Sequence, residues 1–307
     1  MKLITTSVVR GSHQGQSHGG VYLIDLEHRT VRQTLDWNKA DIDWQGRGWD
    51  RGLRGIAFDG GLVYIAASDE LFAFTPDFQP AGSWRNPYLK HCHEITVHER
   101  SLYLTSTGFD SILAFDLDAR EFRWGMHVAT HQFRFKGSVF DPRTGDGPLM
   151  LNKLHINSIH CAQGGMYLTG LRTGGMLHFN GKQVQMAAEL PAGSHNARPW
   201  RDGVLFNDTE ANALRYAGRG EGLEDRAMPV PRFRQEELEN VDVDQSGIAR
   251  QGFARGLCAL QGPVVAGGSS PSTVSVYDLA ANKHLLSVNL TRDVRNAVHG
   301  LEIWPYD

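Results

Sequence analysis

The sequence has little that would brace the chain from outside its own packing or mark it for a familiar chemistry. Its three cysteines, Cys92, Cys161 and Cys258, are odd in number and show no CxxC spacing. That argues against a disulfide framework and for small buried apolar residues in a reducing compartment. There is no GxSxG elbow, no P-loop and no dinucleotide fingerprint, because the glycine runs fall between alternating apolar runs, where turns require them. DPRTGDG (141–147) lacks the later bidentate acid of a calcium loop and reads as an ordinary turn. Neither charge sign dominates: 31 Lys and Arg stand against 34 Asp and Glu, a net charge of −3. No basic footprint therefore argues for nucleic acid, and nothing points to a membrane. Residues 1–9 lack the continuous apolar core and small-residue cleavage site of a signal peptide and read as a strand. The expected location is the cytoplasm.

What is present is a repeat. KHCHEITVHERSLYLTSTGFDSILAFDLD (90–118) holds three short alternating apolar runs separated by turn-like residues, the pattern of consecutive antiparallel strands. The same unit returns at 51–77, 153–182, 193–218 and 253–283. A sixth copy starts in NAVHGLEIWPYD at the C-terminus and is completed by the N-terminal MKLITTSVVRG and GGVYLIDLEHRTV. Six sheet-sized repeats closed by joining the two ends predict an all-β fold: one six-bladed β-propeller domain over 1–307, with ring closure between N- and C-terminal strands.

Aligned on their second strands, the copies put Arg54, His93, Asn157, His195, Arg255 and His299 at one equivalent position. The first strand of a blade lines a propeller's channel, so these side chains are expected at one height around the axis. Their separations of 39, 64, 38, 60 and 44 residues alternate short and long, suggesting three two-blade units that each end in histidine. Long connections at 36–50, 119–152 and 219–252 follow the pairs and are expected to cover one face. They carry Trp37, Trp44, Trp49, Phe133, Phe135, Phe140, Phe233 and Arg234, either as a lid or as packing on neighbouring blades.

Three imidazoles on alternate blades, His93, His195 and His299, suit three ligand positions of one divalent metal, zinc or iron, with the fourth open to water or substrate. The plain alternative is channel-facing polar residues that bond ordered water. His91 and His155 share a register two residues earlier and are candidates for proton transfer, with Asn157 as an orienting amide. Arg54 and Arg255 offer guanidinium forks to a carboxylate or phosphate, or else pair with Asp43 and Asp244. Arg172, Asp208 and Glu210, on loops between second and third strands, are further candidates for substrate contact.

Three segments, LHINSI, SHNARPWRDGVLF and GFARGLCAL, resemble recurring H-x-N-G, H-S-P-x-W-x-D-G-x-L and F-x-R-G-L elements of a bacterial six-bladed propeller family of unknown function. The resemblance implies the fold and gives weight to His155, Asn157, His195 and Arg255; it implies no activity. More distantly the architecture is similar to the gluconolactonase and senescence-marker propellers, whose axial metal is held by Glu, Asn and Asp oxygens. The axial set here is His, Arg and Asn, so their metal and substrate are not expected to transfer. The leading expectation is a metal-dependent enzyme acting on a small anionic substrate by hydrolysis or elimination. Three alternatives stand beside it: a three-histidine ferrous oxygenase, a non-catalytic propeller that binds a protein or peptide on its rim, and a metal-free ligand-binding protein that uses the arginines.

Overall fold

Alternation builds strands that lie inside a sheet. In Ser101–Ser106 the side chains of Leu102 and Leu104 are buried while Tyr103 between them is only partly covered. A period of two puts such pairs on one sheet face, where they meet the next sheet. The connecting hairpins are tight, and several need a left-handed residue: Gly60 at φ +56° and Glu99 at φ +54° do the same job in successive blades.

The computed structural model describes residues 1–38, 52–132, 134–219, 222–242 and 249–306. Asp43, Trp44, Trp49, Phe133 and Asp244 lie outside the described residues. The fold is a six-bladed β-propeller. Numbering blades from the one that follows Arg54, and strands from the inner edge outward, blade 1 is Ile56–Asp59, Leu62–Ala67, Glu70–Phe74 and Pro80–Arg85. Blade 2 is Ile95–His98, Ser101–Ser106, Ser111–Asp116, Glu121–His131 and, as a fifth strand, Arg134–Phe140. Blade 3 is Ile156–Ala162, Gly165–Gly170, Gly175–Phe179 and Val184–Glu189. Blade 4 is Ser194–Trp200, Gly203–Asp208, Ala213–Gly218 and Arg226–Pro229. Blade 5 is Gly252–Ala259, Val264–Ser270, Thr273–Asp278 and Lys283–Asn289. Blade 6 joins the ends of the chain: C-terminal Asn296–Ile303 is its inner strand, beside Lys2–Val9, Gly20–Asp25 and Thr30–Asp36.

Two differences from the sequence reading stand out. Each blade has a fourth strand where the repeat showed three, and the connection 119–152 carries two strands, Glu121–His131 and Arg134–Phe140. The physical reason is exposure. Outer strands such as Pro80–Arg85 and Thr30–Asp36 face solvent along most of their length, so no apolar alternation marks them. The remaining residues of that connection are tied back within blades 1 and 2. The Gly147 N–H donates to the Tyr88 hydroxyl at 2.7 Å, Asn86 Nδ2 donates to the Pro142 carbonyl at 3.0 Å, and Phe140 meets Tyr88 edge-on.

By contact the chain divides into two compact units, Gly55–Val204 and the combination of Met1–Arg54 with Leu205–Asp307. In the first, Leu71 and Ala73 of blade 1 pack on Leu102, Leu104, Leu113 and Phe115 of blade 2, with Trp84 against Phe115 at 4.9 Å. Burying a side chain such as Phe115 contributes about 1.5–3 kcal/mol. In the second, Val274, Val276 and Val288 of blade 5 pack on Val298 and Leu301 of blade 6. The three cysteines are free thiols, two of them buried, and burial pushes the Cys161 thiol up to about 12. No helix among the described residues is long and apolar enough to cross a membrane.

Candidate functional site

The inner strands begin with an unusual backbone feature. Two residues before the repeat position the chain turns left-handed at His91 (φ +57°), His155 (φ +57°), Gly193 (φ +78°) and Phe253 (φ +52°). Side chains other than glycine rarely adopt this region, and bulky ones there mark a conformation imposed by the surroundings. At His155 the imposing group is Asp110. Its carboxylate accepts the N–H groups of Lys153, Leu154 and His155 at 2.5, 3.1 and 2.7 Å. Arg172 adds its guanidinium to the same turn, donating to the carbonyls of Asn152 and Lys153. This residue, expected at the substrate, is thus exposed and bonded to the backbone that carries His155.

Within the unit Gly55–Val204 the His93 ring has two imidazole neighbours. The ring of His93 lies 5.4 Å from that of His155 and 6.5 Å from that of His195, centroid to centroid. Each has its Nδ1 committed to a fixed acceptor. His93 Nδ1 donates to the His91 carbonyl at 2.6 Å and approaches Thr107 Oγ1 at 3.0 Å, whose own proton goes to the Ile156 carbonyl. His195 Nδ1 donates to the Gly193 carbonyl at 2.9 Å, and His155 Nδ1 to Asn152 Oδ1 at 3.0 Å. A backbone carbonyl oxygen only accepts, so Nδ1 of His93 and of His195 carries a proton. In the neutral form of such a ring Nε2 carries the lone pair, the tautomer used for metal ligation or for general-base work.

A largely buried carboxylate holds the strands that carry two of these rings. Glu94, next to His93, accepts from the Ile159 N–H at 3.0 Å, from Asn196 Nδ2 at 3.3 Å and from Arg198 Nη2 at 3.1 Å. It therefore ties the inner strands of blades 2, 3 and 4 together one residue from His93 and one from His195. Burial pushes the Glu94 carboxyl above the usual range, and the Arg198 guanidinium opposes that shift. His160, on the inner strand of blade 3, is pulled down to about 4, first by burial and then by the Arg198 charge. The sequence reading singled out neither Glu94 nor Asp110. Both partner backbone N–H groups far away in sequence, and no local spacing signals such bonds.

The other sequence-predicted residues are placed as follows. Asn157 is buried, with Oδ1 accepting from the Ser158 hydroxyl at 3.0 Å and Nδ2 3.5 Å from the Ser194 carbonyl. His91 is half-buried and its carbonyl serves the His93 ring. In the other unit, Arg54 is buried and its carbonyl accepts from Thr6 Oγ1. His299 is also buried, and Arg255 Nη1 stands 3.3 Å from its Nε2, so a metal on that nitrogen would have to displace the guanidinium. Asp208 is buried against Arg215 at 3.1 Å, and Glu210 is exposed.

Among the described residues no group of three His, Cys, Asp or Glu side chains is set to hold a metal as it stands. Three imidazoles on a tetrahedral ion at Zn–N of about 2.0–2.1 Å have ring centroids about 5 Å apart. The His93–His155 distance meets that value, while the His93–His195 distance requires a closure of about 1 Å. A cavity of about 390 Å³ lies elsewhere in the same unit, lined by Tyr103, Trp124, Met166 and Phe179 of blades 2 and 3. None of the three histidines lines it.

No protein-family model matches the chain. No curated protein matches it either. Among solved structures, a protein of unknown function from Bacteroides caccae is similar over 99% of both chains, with a TM-score of 0.59 and 11% identity. The computationally designed protein Ika8 is similar over 96% of both chains with a TM-score of 0.49 and 11% identity. BamB from Moraxella catarrhalis is similar over 99% of both, with a TM-score of 0.43 and 13% identity. At 11% identity the likeness to the Bacteroides caccae structure shows the fold alone, and the sheets of this chain make that fold a six-bladed β-propeller.

Proposed function

We propose that the protein is a metal-dependent enzyme acting on a small anionic substrate, with one divalent ion held by Nε2 of His93, His155 and His195. The observation that carries this reading is the commitment of all three Nδ1 atoms to fixed acceptors beside one another. Metal-ligating imidazoles are oriented by just such a bond on the other ring nitrogen. This ligand set replaces His299, whose Nε2 has Arg255 beside it, by His155.

The charge of the substrate follows from the ligands. Neutral imidazoles leave a divalent ion its full double charge, whereas carboxylate ligands would cancel part of it. The open coordination position therefore favours an anionic oxygen or a hydroxide. His91, two residues from His93, would be the proton carrier, and an ion held by the three imidazoles would supply the Lewis acidity for hydrolysis or elimination.

Cobalt(II) tests the reading, because its visible absorption reports coordination number. Titration of the purified chain, without an affinity tag, is expected to give intense four-coordinate bands that saturate at one equivalent and vanish in His155→Ala. Bands no stronger than those of aqueous cobalt would overturn it. A second reading, capture of a peptide on the rim, is favoured by one observation: Leu149, Met150 and Leu151 are three consecutive exposed apolar residues. Under that reading Leu149→Ser with Leu151→Ser abolishes partner binding, and cobalt binds nowhere specifically.

A further inference from the structure

The cavity lined by blades 2 and 3 has no part in the imidazole chemistry. Its volume of about 390 Å³ falls within the range of small-molecule clefts, about 300–1,000 Å³. Ser101, which lines it, starts the second strand of blade 2, whereas Thr107, bonded to His93, follows the end of that strand. At the normal rise per residue the two positions are about 20 Å apart.

Strand register builds the apolar side. Tyr103, Ala114 and Trp124 stand opposite one another on three neighbouring strands of blade 2, so all three share one face. The small Ala114 lets the two large rings lean together edge to face, with centroids 6.4 Å apart at 82°. Phe179 of blade 3 stands 6.5 Å from Trp124 at 37°, and Met166 lies beside it in the lining. Tyr103 and Trp124 each keep part of their surface exposed. Since no two of these rings are parallel, they form no slot for a flat ligand. They offer electron-rich faces to C–H groups instead.

The polar side is balanced in charge. Arg123 Nη1 donates to Asp116 Oδ2 at 2.8 Å and Arg123 Nε to Glu121 Oε1 at 2.6 Å. Asp116 Oδ1 accepts the N–H groups of Asp118 and Ala119 at 2.9 and 2.8 Å. A guanidinium between two carboxylates attracts a further anion weakly, and a carboxylate so satisfied attracts a cation weakly. Both keep room for a neutral hydroxyl: Arg123 Nη2 bonds no acceptor among the described residues, and Asp116 Oδ2 has a second lone pair. Ser101 adds its own hydroxyl, bonded to the side chain of Tyr103. Donors and acceptors side by side suit hydroxyl groups, which are both.

We infer that this cavity binds a neutral saccharide unit, with its C–H face against Trp124 and Tyr103 and its hydroxyl groups on Asp116, Arg123 and Ser101. The site shares no residue with the imidazole reading and needs no metal, so each stands or falls alone.

The test is saturation-transfer NMR on the full chain with the methyl glycosides of glucose, galactose, mannose and N-acetylglucosamine. Glucuronate serves as the anionic probe and indole as the flat one. Transfer to the ring protons of a neutral glycoside, with affinity weakened at least tenfold in Trp124→Ala and at least threefold in Arg123→Ala, supports the site. Arg123 is exposed, so its variant keeps the test open if Trp124→Ala fails to fold. No transfer to any neutral glycoside, transfer to indole or glucuronate alone, or equal affinity in wild type and Arg123→Ala, overturns the proposal.

Discussion

At the scale of single residues, the buried titratable groups beneath the imidazoles decide how the fold responds to pH. His160 has its folded value depressed to about 4, so the fold prefers the neutral ring. Its contribution is therefore complete above the unfolded value of about 6.5 and is lost as pH falls from there through about 4. Urea denaturation between pH 7 and pH 4 should show this acid limb, worth at most about 3 kcal/mol by the size of the shift. His160→Gln should flatten it; an unchanged limb would mean that other groups carry the acid sensitivity. Glu94 has the opposite sign to an ordinary paired carboxylate. Its folded value is raised by burial, so its ionisation works against the fold as pH rises through that value. Removing it is nonetheless costly, because Arg198 would remain, mostly buried, without its counter-charge. Glu94→Ala is expected to destabilise by about 3–5 kcal/mol. Glu94→Gln should lose less, since an amide oxygen still accepts from the Ile159 N–H. Chemical denaturation at pH 7 distinguishes the two.

At the scale of elements, some strand positions leave no space for a side chain. Gly268, on the second strand of blade 5, has no room for a Cβ: one built there would overlap Val298 of blade 6 and the Arg255 carbonyl. Gly268→Ala should cost about 3 kcal/mol or the fold itself, because backbone on one side cannot give way. A thermal scan reads this directly. Asp110 makes a parallel prediction for the turn under His155. Asp110→Ala strips the acceptor from three N–H groups and should cost about 1–3 kcal/mol. It should also weaken metal binding through His155 more than through His93, which a metal titration of the variant would read. Second strands were legible in the sequence because they are mostly buried and carry apolar residues in alternation, as in SLYLTS. Outer strands were not, because Pro80–Arg85 and Thr30–Asp36 are largely solvated and their residues carry no period.

At the scale of the molecule, the closure of the ring was legible: the C-terminal HGLEI strand pairs with Lys2–Val9 in one sheet. So was the register that set His93, Asn157 and His195 at the starts of successive inner strands. What no spacing could show is which acceptor each ring finds. His155 turns on Asn152 and Asp110, and His93 on Thr107, and of these Asp110 and Thr107 come from other parts of the chain. That is why the periodic histidine at 299 stood out in the repeat, while the structure puts His155 beside His93. The most direct test of the account is metal stoichiometry after reconstitution with zinc and, anaerobically, with ferrous iron. It would be measured on the wild-type chain and on His93→Ala, His155→Ala, His195→Ala and His299→Ala. The account predicts one ion per chain, lost in the first three variants and retained in His299→Ala. A wild-type chain that holds no ion under either condition, or one whose ion survives loss of His93 and His155, would contradict it.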